Sequence, residues 1–496
     1  MKLKTLFPQL ENRTEGEREI ASPVFDSRKA GPGDLFFAIK GTQTDGHKYI
    51  DKAVAAGAVA VVHSDDVTPI EGVTYIRMED PQEALALAAE RFYGSPSSKM
   101  TVYGVTGTNG KSTTTCVIRD MIEQMGGRCG YMGTIAVRYG DVDTKPNLTT
   151  PDALEIGDTL AKMAAAGMDS VAMEVSSHGL AEKRTDGVDF DVAIFTNLTW
   201  DHLDFHKTME AYFEAKQRLF TRMKPEGLAI LNADDEASYG TLKAVSACRT
   251  LSYGEAPEAD YRFTDLTMSG AGGSTFTLRV SAEANGGEEA LVPVRTNLTA
   301  KYNISNLCAA IAALHQTGHA LQDIAAAAVK IRQVDGRMEI VENDLGLDLI
   351  VDYAHTPDGF EKIFEFVRSV KRPGAAVYAV FGSAGKRDKK KRPVLGSIAG
   401  ENCDLLYLTE EDPRDERAVD IAAEIKGDLP EEKVRIIGDR YEAIETAIRG
   451  AKPGDMVLIL GKGDEKYLDR GNGKDDWMGD EKAAAEIAAK LAAERA

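Results

Sequence analysis

Residues 104–113 read Gly-Val-Thr-Gly-Thr-Asn-Gly-Lys-Ser-Thr, behind the apolar run 100–103 and ahead of a helix-forming stretch. A strand that turns through glycines into a helix commits this part of the chain to an α/β arrangement, because parallel strands need helical crossovers. The turn itself is a phosphate cradle. Its backbone N–H groups and the helix N-terminus face phosphates, Lys111 adds a cation, and the Ser112 or Thr113 hydroxyl reaches a magnesium ion. One position departs from the usual Walker spacing: Val105 stands where that pattern has glycine, and the glycines fall at 104 and 107.

At 496 residues the chain exceeds one ordinary core, and its patterning divides it into three. Residues 1–97 carry short strand-like runs at 35–39 and 58–63 and an amphipathic helix at 82–92, and end in the linker composition Tyr-Gly-Ser-Pro-Ser-Ser. Residues 98–332 continue from the cradle with apolar runs at 170–173, 192–195 and 228–231 separated by helical stretches, the pattern of a mostly parallel sheet. Within them, residues 254–296 are rich in Gly, Thr and Ser and read as a β-rich insertion. Residues 333–496 hold four more strand-like runs, at 347–351, 376–381, 405–408 and 456–460, and close with an amphipathic helix at 481–496.

A net charge of −20, from 59 basic and 79 acidic residues, argues against a nucleic-acid binder, whereas a small anionic substrate needs only local cations. The five cysteines (116, 129, 248, 308 and 403) show no CxxC spacing and predict neither a disulfide framework nor a zinc site. No 18-residue apolar run and no signal-peptide core is present, so a cytoplasmic protein without membrane insertion is expected, as a monomer.

Polar strings follow several predicted strands. Glu174-Val175-Ser176-Ser177-His178 follows the run 170–173, at the carboxyl edge where parallel sheets bind ligands. Glu174 alone reads as a surface acid; beside a phosphate cradle it is placed to hold magnesium. Thr196 to Asp204 follows the run 192–195, with Thr199 or Asp201 as a helix cap and His202 as a metal ligand. The string 351–358 and the upstream Gly336-Arg337 suggest a site closed by two domains, where an arginine stabilises charge on a transferred phosphoryl group. In the basic run 386–392, Arg387 is the candidate ligand and the lysines are expected at the surface.

Taken in order, these strings resemble the Mur ligases, ATP-dependent amide-forming enzymes of peptidoglycan synthesis, and most of all the MurE type. The resemblance rests on Asp26-Ser27-Arg28, Gly33-Asp34-Leu35-Phe36-Phe37-Ala38, Asp45-Gly46-His47, the 107–112 loop, Thr149-Thr150-Pro151 and Glu174 to His178. It continues through Asp201-His202, Ala215-Lys216, Asp352-Tyr353-Ala354-His355 and Gly461-Lys462-Gly463. It implies a three-domain α/β architecture with a UDP-substrate domain, a central P-loop ATPase domain and a Rossmann-like C-terminal domain.

The resemblance also implies roles. Ser27, Thr42, Asp45, Gly46 and His47 would bind the UDP end of the substrate, with Thr149, Thr150, Ser176 and Arg184 gripping its diphosphate and dipeptide. ATP would sit on Gly107, Thr108, Asn109, Gly110, Lys111, Ser112 and Thr113, surrounded by Asn303, Asn306, Arg337, Asp352 and His355. Ser112, Glu174, His202 and a carbamylated Lys216 would hold Mg²⁺, so that Lys111, Glu174, His202 and Lys216 form the catalytic set. Without the resemblance Lys216 is a helix-surface lysine. The reaction implied activates a glutamyl carboxylate of UDP-N-acetylmuramoyl-L-alanyl-D-glutamate as an acyl phosphate, which a diamino acid then displaces.

Arg387, Glu411, Asp412, Arg414, Gly461 and Glu465 would bind that amino acid. The string Glu411-Asp412-Pro413-Arg414 differs from the Asp-Asn-Pro-Arg of diaminopimelate-adding members, Asp464 stands where those commonly have histidine, and Glu182 where glutamine is usual. Four carboxylates around one pocket (Glu411, Asp412, Asp464, Glu465) favour L-lysine over meso-diaminopimelate. A folylpolyglutamate synthase-like ligase and a non-catalytic nucleotide switch are the competing readings. Both leave the uridine-site strings of the N-terminal region, or the intact Glu174, His202 and Lys216, without a purpose.

Overall fold

The computed structural model describes residues 1–41, 44–268 and 273–495. Near the N-terminus, β1 (Pro23–Val24), β2 (Leu35–Phe37), β3 (Ala60–His63) and β4 (Thr74–Arg77) form an all-parallel sheet in chain order. The helix Pro81–Phe92 begins where Asp80 accepts the N–H groups of Gln82 and Glu83 and where proline costs no hydrogen bond. Its Ala84, Leu85 and Ala88 pack with Leu35, Phe37 and Val62 of the sheet.

The central sheet has eleven strands. They are β5 (Thr101–Thr106), β6 (Cys129–Met132), β7 (Val137–Tyr139), β8 (Val142–Thr144), β9 (Ser170–Glu174) and β10 (Val192–Phe195), then β11 (Leu228–Asn232), β12 (Arg249–Gly254), β13 (Tyr261–Met268), β14 (Ser274–Val280) and β15 (Ala290–Thr296). Their order is β8-β7-β6-β9-β5-β10-β11-β12-β13-β14-β15, parallel from β6 to β13 and antiparallel at both flanks. Strands β13, β14 and β15 within residues 254–296 therefore continue the main sheet and are not a separate insertion. Their alternation buries Phe263, Phe276, Leu278, Val292 and Val294 in the same core as the helix Lys301–Gln316, which requires continuity with the sheet. Strand β5 lies between β9 and β10, so the loops after all three open at one sheet edge.

The last sheet comprises β16 (Glu339–Val341), β17 (Asp348–Asp352), β18 (Val377–Phe381), β19 (Leu405–Leu408), β20 (Val434–Ile436) and β21 (Met456–Leu460). Its order is β16-β17-β21-β18-β19-β20, parallel except for β16. Asp352 and Leu460 are register partners, which brings the loops that follow them side by side.

A buried ion pair fixes the end of the chain. Arg440 and Asp480, both with no solvent exposure, are joined by two hydrogen bonds of 2.7 and 2.6 Å, and the guanidinium also donates to the carbonyls of Glu410 and Leu460. Asp480 opens the closing helix Asp480–Arg495, and Trp477 Nε1 donates to the same carboxylate. Asp480→Ala would strand the Arg440 charge, so a loss of about 3–5 kcal/mol is expected, read as a lower urea midpoint for the C-terminal region. Unchanged midpoints would show that the pair is replaceable by water.

Candidate active site

At the end of β5 the backbone must turn within van der Waals contact of the next strand. A Cβ on Gly107 would lie 1.8 Å from Thr196 Oγ1, and one on Gly110, whose φ is +88°, would lie 2.4 Å from Asn306 Oδ1. Glycine is thus required at 107 and 110, whereas Val105 is a buried strand residue, which explains the shifted spacing. Asn197 holds the loop, its backbone carbonyl accepting from Thr108 N at 2.8 Å and its Oδ1 from Asn109 N at 2.9 Å. The helix Lys111–Gln124 that follows has no side-chain cap, which leaves its first N–H groups to an anion.

Lys111 Nζ donates to the carbonyls of Gly107 and Thr108 at 3.1 and 2.8 Å, and burial pulls its pKa below the usual lysine range. Ser112 Oγ lies 3.0 Å from Glu174 Oε2. Glu174 is fully buried at the end of β9 and also accepts from Tyr131 OH, Thr134 N and Thr134 Oγ1, yet forms no ion pair among the described residues. It is not a surface acid. A buried carboxylate without a direct ion pair, next to a hydroxyl, has the donor chemistry of a magnesium site.

Lys216, on the helix Met209–Thr221, is 1 % exposed, so the helix-surface alternative does not hold. Its Nζ donates to Gly107 O at 2.7 Å and lies 4.4 Å from the centre of the Tyr212 ring. Burial and then the neighbouring Lys111 charge push its pKa far below that of an ordinary lysine. His202 has φ +53° and stands at the start of the short helix Leu203–His206, packed against His178 and Tyr212. Neither Thr199 nor Asp201 caps that helix. Asp201 faces His202 Nε2 at 3.3 Å and His355 Nε2 at 3.9 Å, and these imidazoles, Lys391 and the His202 N–H hold its carboxyl below the usual carboxylate range against the effect of burial.

One cavity of about 890 Å³ gathers residues 107–113 with Glu174, His202 and Lys216, and adds Asn306, Arg337, Asp352 and His355. Thr149, Thr150, Ser176, Arg184 and Arg387 border it as well. Several contacts within it join the central and C-terminal sheets: Asn109 Nδ2 donates to Asp358 Oδ2 at 2.7 Å, Arg337 Nη2 to Ser112 Oγ at 3.3 Å, and Arg387 Nη1 to Asp204 Oδ2 at 3.4 Å. Arg337 lies over the Tyr353 ring at 4.2 Å, and its Nε and the hydroxyl of Tyr302 are buried without hydrogen-bond partners among the described residues. Orphaned donors beside an uncapped helix N-terminus fit a nucleotide.

The family of the chain is decided by comparison. Residues 20–93 match the Mur ligase family catalytic domain, 105–314 the Mur ligase middle domain, and 336–463 the Mur ligase glutamate ligase domain. The chain belongs to the Mur ligase family. It is thereby an ATP-dependent ligase of peptidoglycan synthesis, with the three-part α/β fold of that family. Similar Mur ligases include the "UDP-N-acetylmuramoyl-L-alanyl-D-glutamate--2,6-diaminopimelate ligase" of Geobacter metallireducens, 38% identical over 94% of both chains. The enzyme of the same name from Geobacillus kaustophilus is 38% identical over 99% of both. A solved structure of such a ligase superimposes with a TM-score of 0.70 at 29% identity, covering 100% of this chain and 99% of that one. No helix among the described residues is long and apolar enough to cross a membrane.

Other Mur ligase positions fall into place differently. Asn303 is buried and does not line the cavity, and its amide donates to Thr299 O at 3.0 Å. Asp352 braces backbone, accepting from Met338 N and Ala354 N at 2.7 Å each. Thr150 Oγ1 donates to Glu174 O at 2.9 Å, Ser176 Oγ caps a short helix, and Arg184 donates to Thr150 O at 2.7 Å and pairs with Glu182. Thr149 Oγ1 lies 3.0 Å from Thr134 Oγ1.

Ser27, Asp45, Gly46 and His47 lie away from the cavity in the N-terminal region; Thr42 falls outside the described residues. His47 is already engaged at both nitrogens, Nδ1 with Asp45 at 2.7 Å and Nε2 with Ser64 N at 3.1 Å, and Asp65 pairs with Lys40. These three side chains brace a loop. Glu411, Asp412, Arg414, Gly461 and Glu465 form a second cluster outside the cavity.

The basic run is not all surface. Lys391 is buried and donates to His355 O at 2.8 Å, and Arg392 is fully buried between Glu416 and Glu424. Asn197, Asp201, Asp358 and Lys391 were missed as site residues. All four stood inside strings already singled out, but Asn197 and Asp358 carried no role there, Asp201 was read as a helix cap, and Lys391 could not be told from its neighbours by charge alone.

Proposed function

We propose that this Mur ligase joins 2,6-diaminopimelate to the glutamyl carboxylate of UDP-N-acetylmuramoyl-L-alanyl-D-glutamate through an acyl phosphate. The observation that carries the reading is the single cavity in which the P-loop, Glu174, Lys216 and Arg337 converge. Lys111 and the uncapped helix N-terminus would hold the ATP phosphates, and Arg337 would face the group being transferred. Ser112, Glu174, His202 and a carbamylated Lys216 would hold Mg²⁺, whose charge offsets the repulsion between carboxylate and triphosphate. The contacts of Arg337, Asn109 and Arg387 across the two sheets would exclude water while the acyl phosphate exists. We place the domain boundaries after residues 97 and 332.

The choice of amino acid turns on charge. A count of carboxylates favours L-lysine, but Lys462, with no exposed side chain, pairs with both Asp412 and Glu465, and Arg470 pairs with Glu410. Lys462 thereby offsets part of the charge of Asp412 and Glu465, and Arg414, which lies 3.4 Å from Asp469 and donates to Gly385 O, would turn to the second carboxylate that diaminopimelate has and lysine lacks. Relatives named for 2,6-diaminopimelate support the same choice. Glu411, buried and without an ion pair among the described residues, is what favours lysine.

The test is ATP-dependent phosphate release with the UDP-linked dipeptide and meso-diaminopimelate, L-lysine or L-ornithine offered separately. Turnover is expected with diaminopimelate. Arg414→Ala should raise its KM about ten- to a hundredfold, the worth of one charged hydrogen-bond pair. Turnover with lysine alone would reverse the choice, and turnover with none would return the chain to the folate-ligase or switch reading.

A further inference from the structure

Two buried polar atoms of opposite charge on adjacent loops are left without partners. Arg337 Nε and Asp464 Oδ1 both lack a hydrogen-bond partner among the described residues. The two side chains attract each other but do not close into an ion pair among the described residues. Their separation is set by backbone. A Cβ on Gly336 would lie 2.1 Å from Asp464 N, and one on Gly463, with φ +52°, 2.9 Å from Gly336 O, so the two loops are already pressed together. Arg337 is further held over the Tyr353 ring, whose hydroxyl reaches Glu465 at 3.4 Å. Neither side chain is free to swing across, and a buried carboxylate left in this way wants a cationic partner.

Arg337 also connects Asp464 to the phosphate cradle, because its Nη2 lies 3.3 Å from Ser112 Oγ. A group bound at Asp464 is thus one guanidinium away from the P-loop. Lys462 is committed to Asp412 and Glu465, and neither Lys145, which stands over the Tyr467 ring at 5.0 Å, nor Lys466 forms an ion pair with Asp464 among the described residues.

We infer that Asp464 receives the reacting ammonium group of the incoming amino acid and presents it to the acyl phosphate that Arg337 faces. This rests on the ligase reading above. The ammonium passes one proton to the Asp464 carboxylate, and the freed nitrogen lone pair forms the C–N bond. The C–O bond to phosphate breaks, and the phosphate leaves with that electron pair and takes up the second amine proton. Burial supports the transfer by raising the Asp464 pKa to about 6, nearer to an amine than an ordinary carboxylate, with Glu465, Tyr353 and Glu339 also facing it and Arg337 and Lys145 opposing. Holding amine and acyl group side by side is a proximity effect.

Asp464→Asn keeps the shape and removes the charge. The KM for the amino acid should rise about tenfold or more, with a lower kcat, while the affinity for ADP and the KM for the UDP-linked dipeptide change less than about twofold. Asp464→Glu, which keeps a carboxylate, should recover part of the loss. An amino-acid KM like that of wild type would overturn the inference. So would a parallel fall in ADP affinity, since Asp464 would then act by holding Arg337. Should Asp464→Asn not fold by circular dichroism, Asp464→Ser and Asp464→Glu carry the same comparison. A wild type that joins no amine would sink the ligase reading together with this one, whereas an active wild type and an unaffected variant would sink this one alone.

Discussion

Lys111→Ala is expected to lower ligase turnover by about a thousandfold while the protein stays folded. In the structure the ammonium bonds to two carbonyls of its own loop, Gly107 and Thr108, so in the absence of nucleotide it is an internal tie. Its removal leaves the loop standing, because Thr108 and Asn109 are also held by Asn197, and Thr108 Oγ1 by Tyr212 and Thr199. The loss falls on the charged state. Burial works against the Lys111 ammonium and only Glu174 and Asp201 favour it, so a triphosphate would supply the counter-charge that the cavity lacks. Phosphate release measured beside a thermal melt separates the two effects. Activity within tenfold of wild type would remove Lys111 from the transition state.

Lys216→Ala is expected to lower turnover at least about a hundredfold, and short carboxylates such as formate or acetate should restore part of it. Carbamylation requires a neutral amine, since only the free lone pair adds to carbon dioxide. Burial and the neighbouring Lys111 push Lys216 toward that neutral form. Once carbamylated, the same side chain would carry a negative charge beside Lys111 and oxygen donors in place of a nitrogen that now bonds to Gly107 O. Lack of rescue together with normal activity would sink the carbamate; rescue by acetate but not by a neutral amide of the same size would establish the need for an anion.

Sequence alone determined the alternation of strand and helix, the phosphate cradle, and the strings that end β9, β10 and β17. These are local matters: glycine at a turn, apolar runs, polar residues where a strand stops. The strands at 405–408 and 456–460 were legible to the residue, since a fully buried parallel strand is a short apolar run between breakers. Residues 254–296 were rightly read as β-rich but taken for an insertion, because alternation marks a strand with one wet face without saying which sheet it joins; the pairing of β13 with β12 joins it to the main sheet.

What only the tertiary structure decided was which charges meet. Lys391 and its neighbours in the basic run are alike in sequence, and the packing of the helix Lys391–Asn402 beneath His355 singles it out. Lys462 was part of a glycine motif until its burial between Asp412 and Glu465 changed the charge balance of the amino-acid pocket. Asp358 pairs with Asn109 from 249 residues away. The physical reason is common to all three: periodicity reports whether a side chain is inside, while the partner it finds there depends on how separate sheets are brought together.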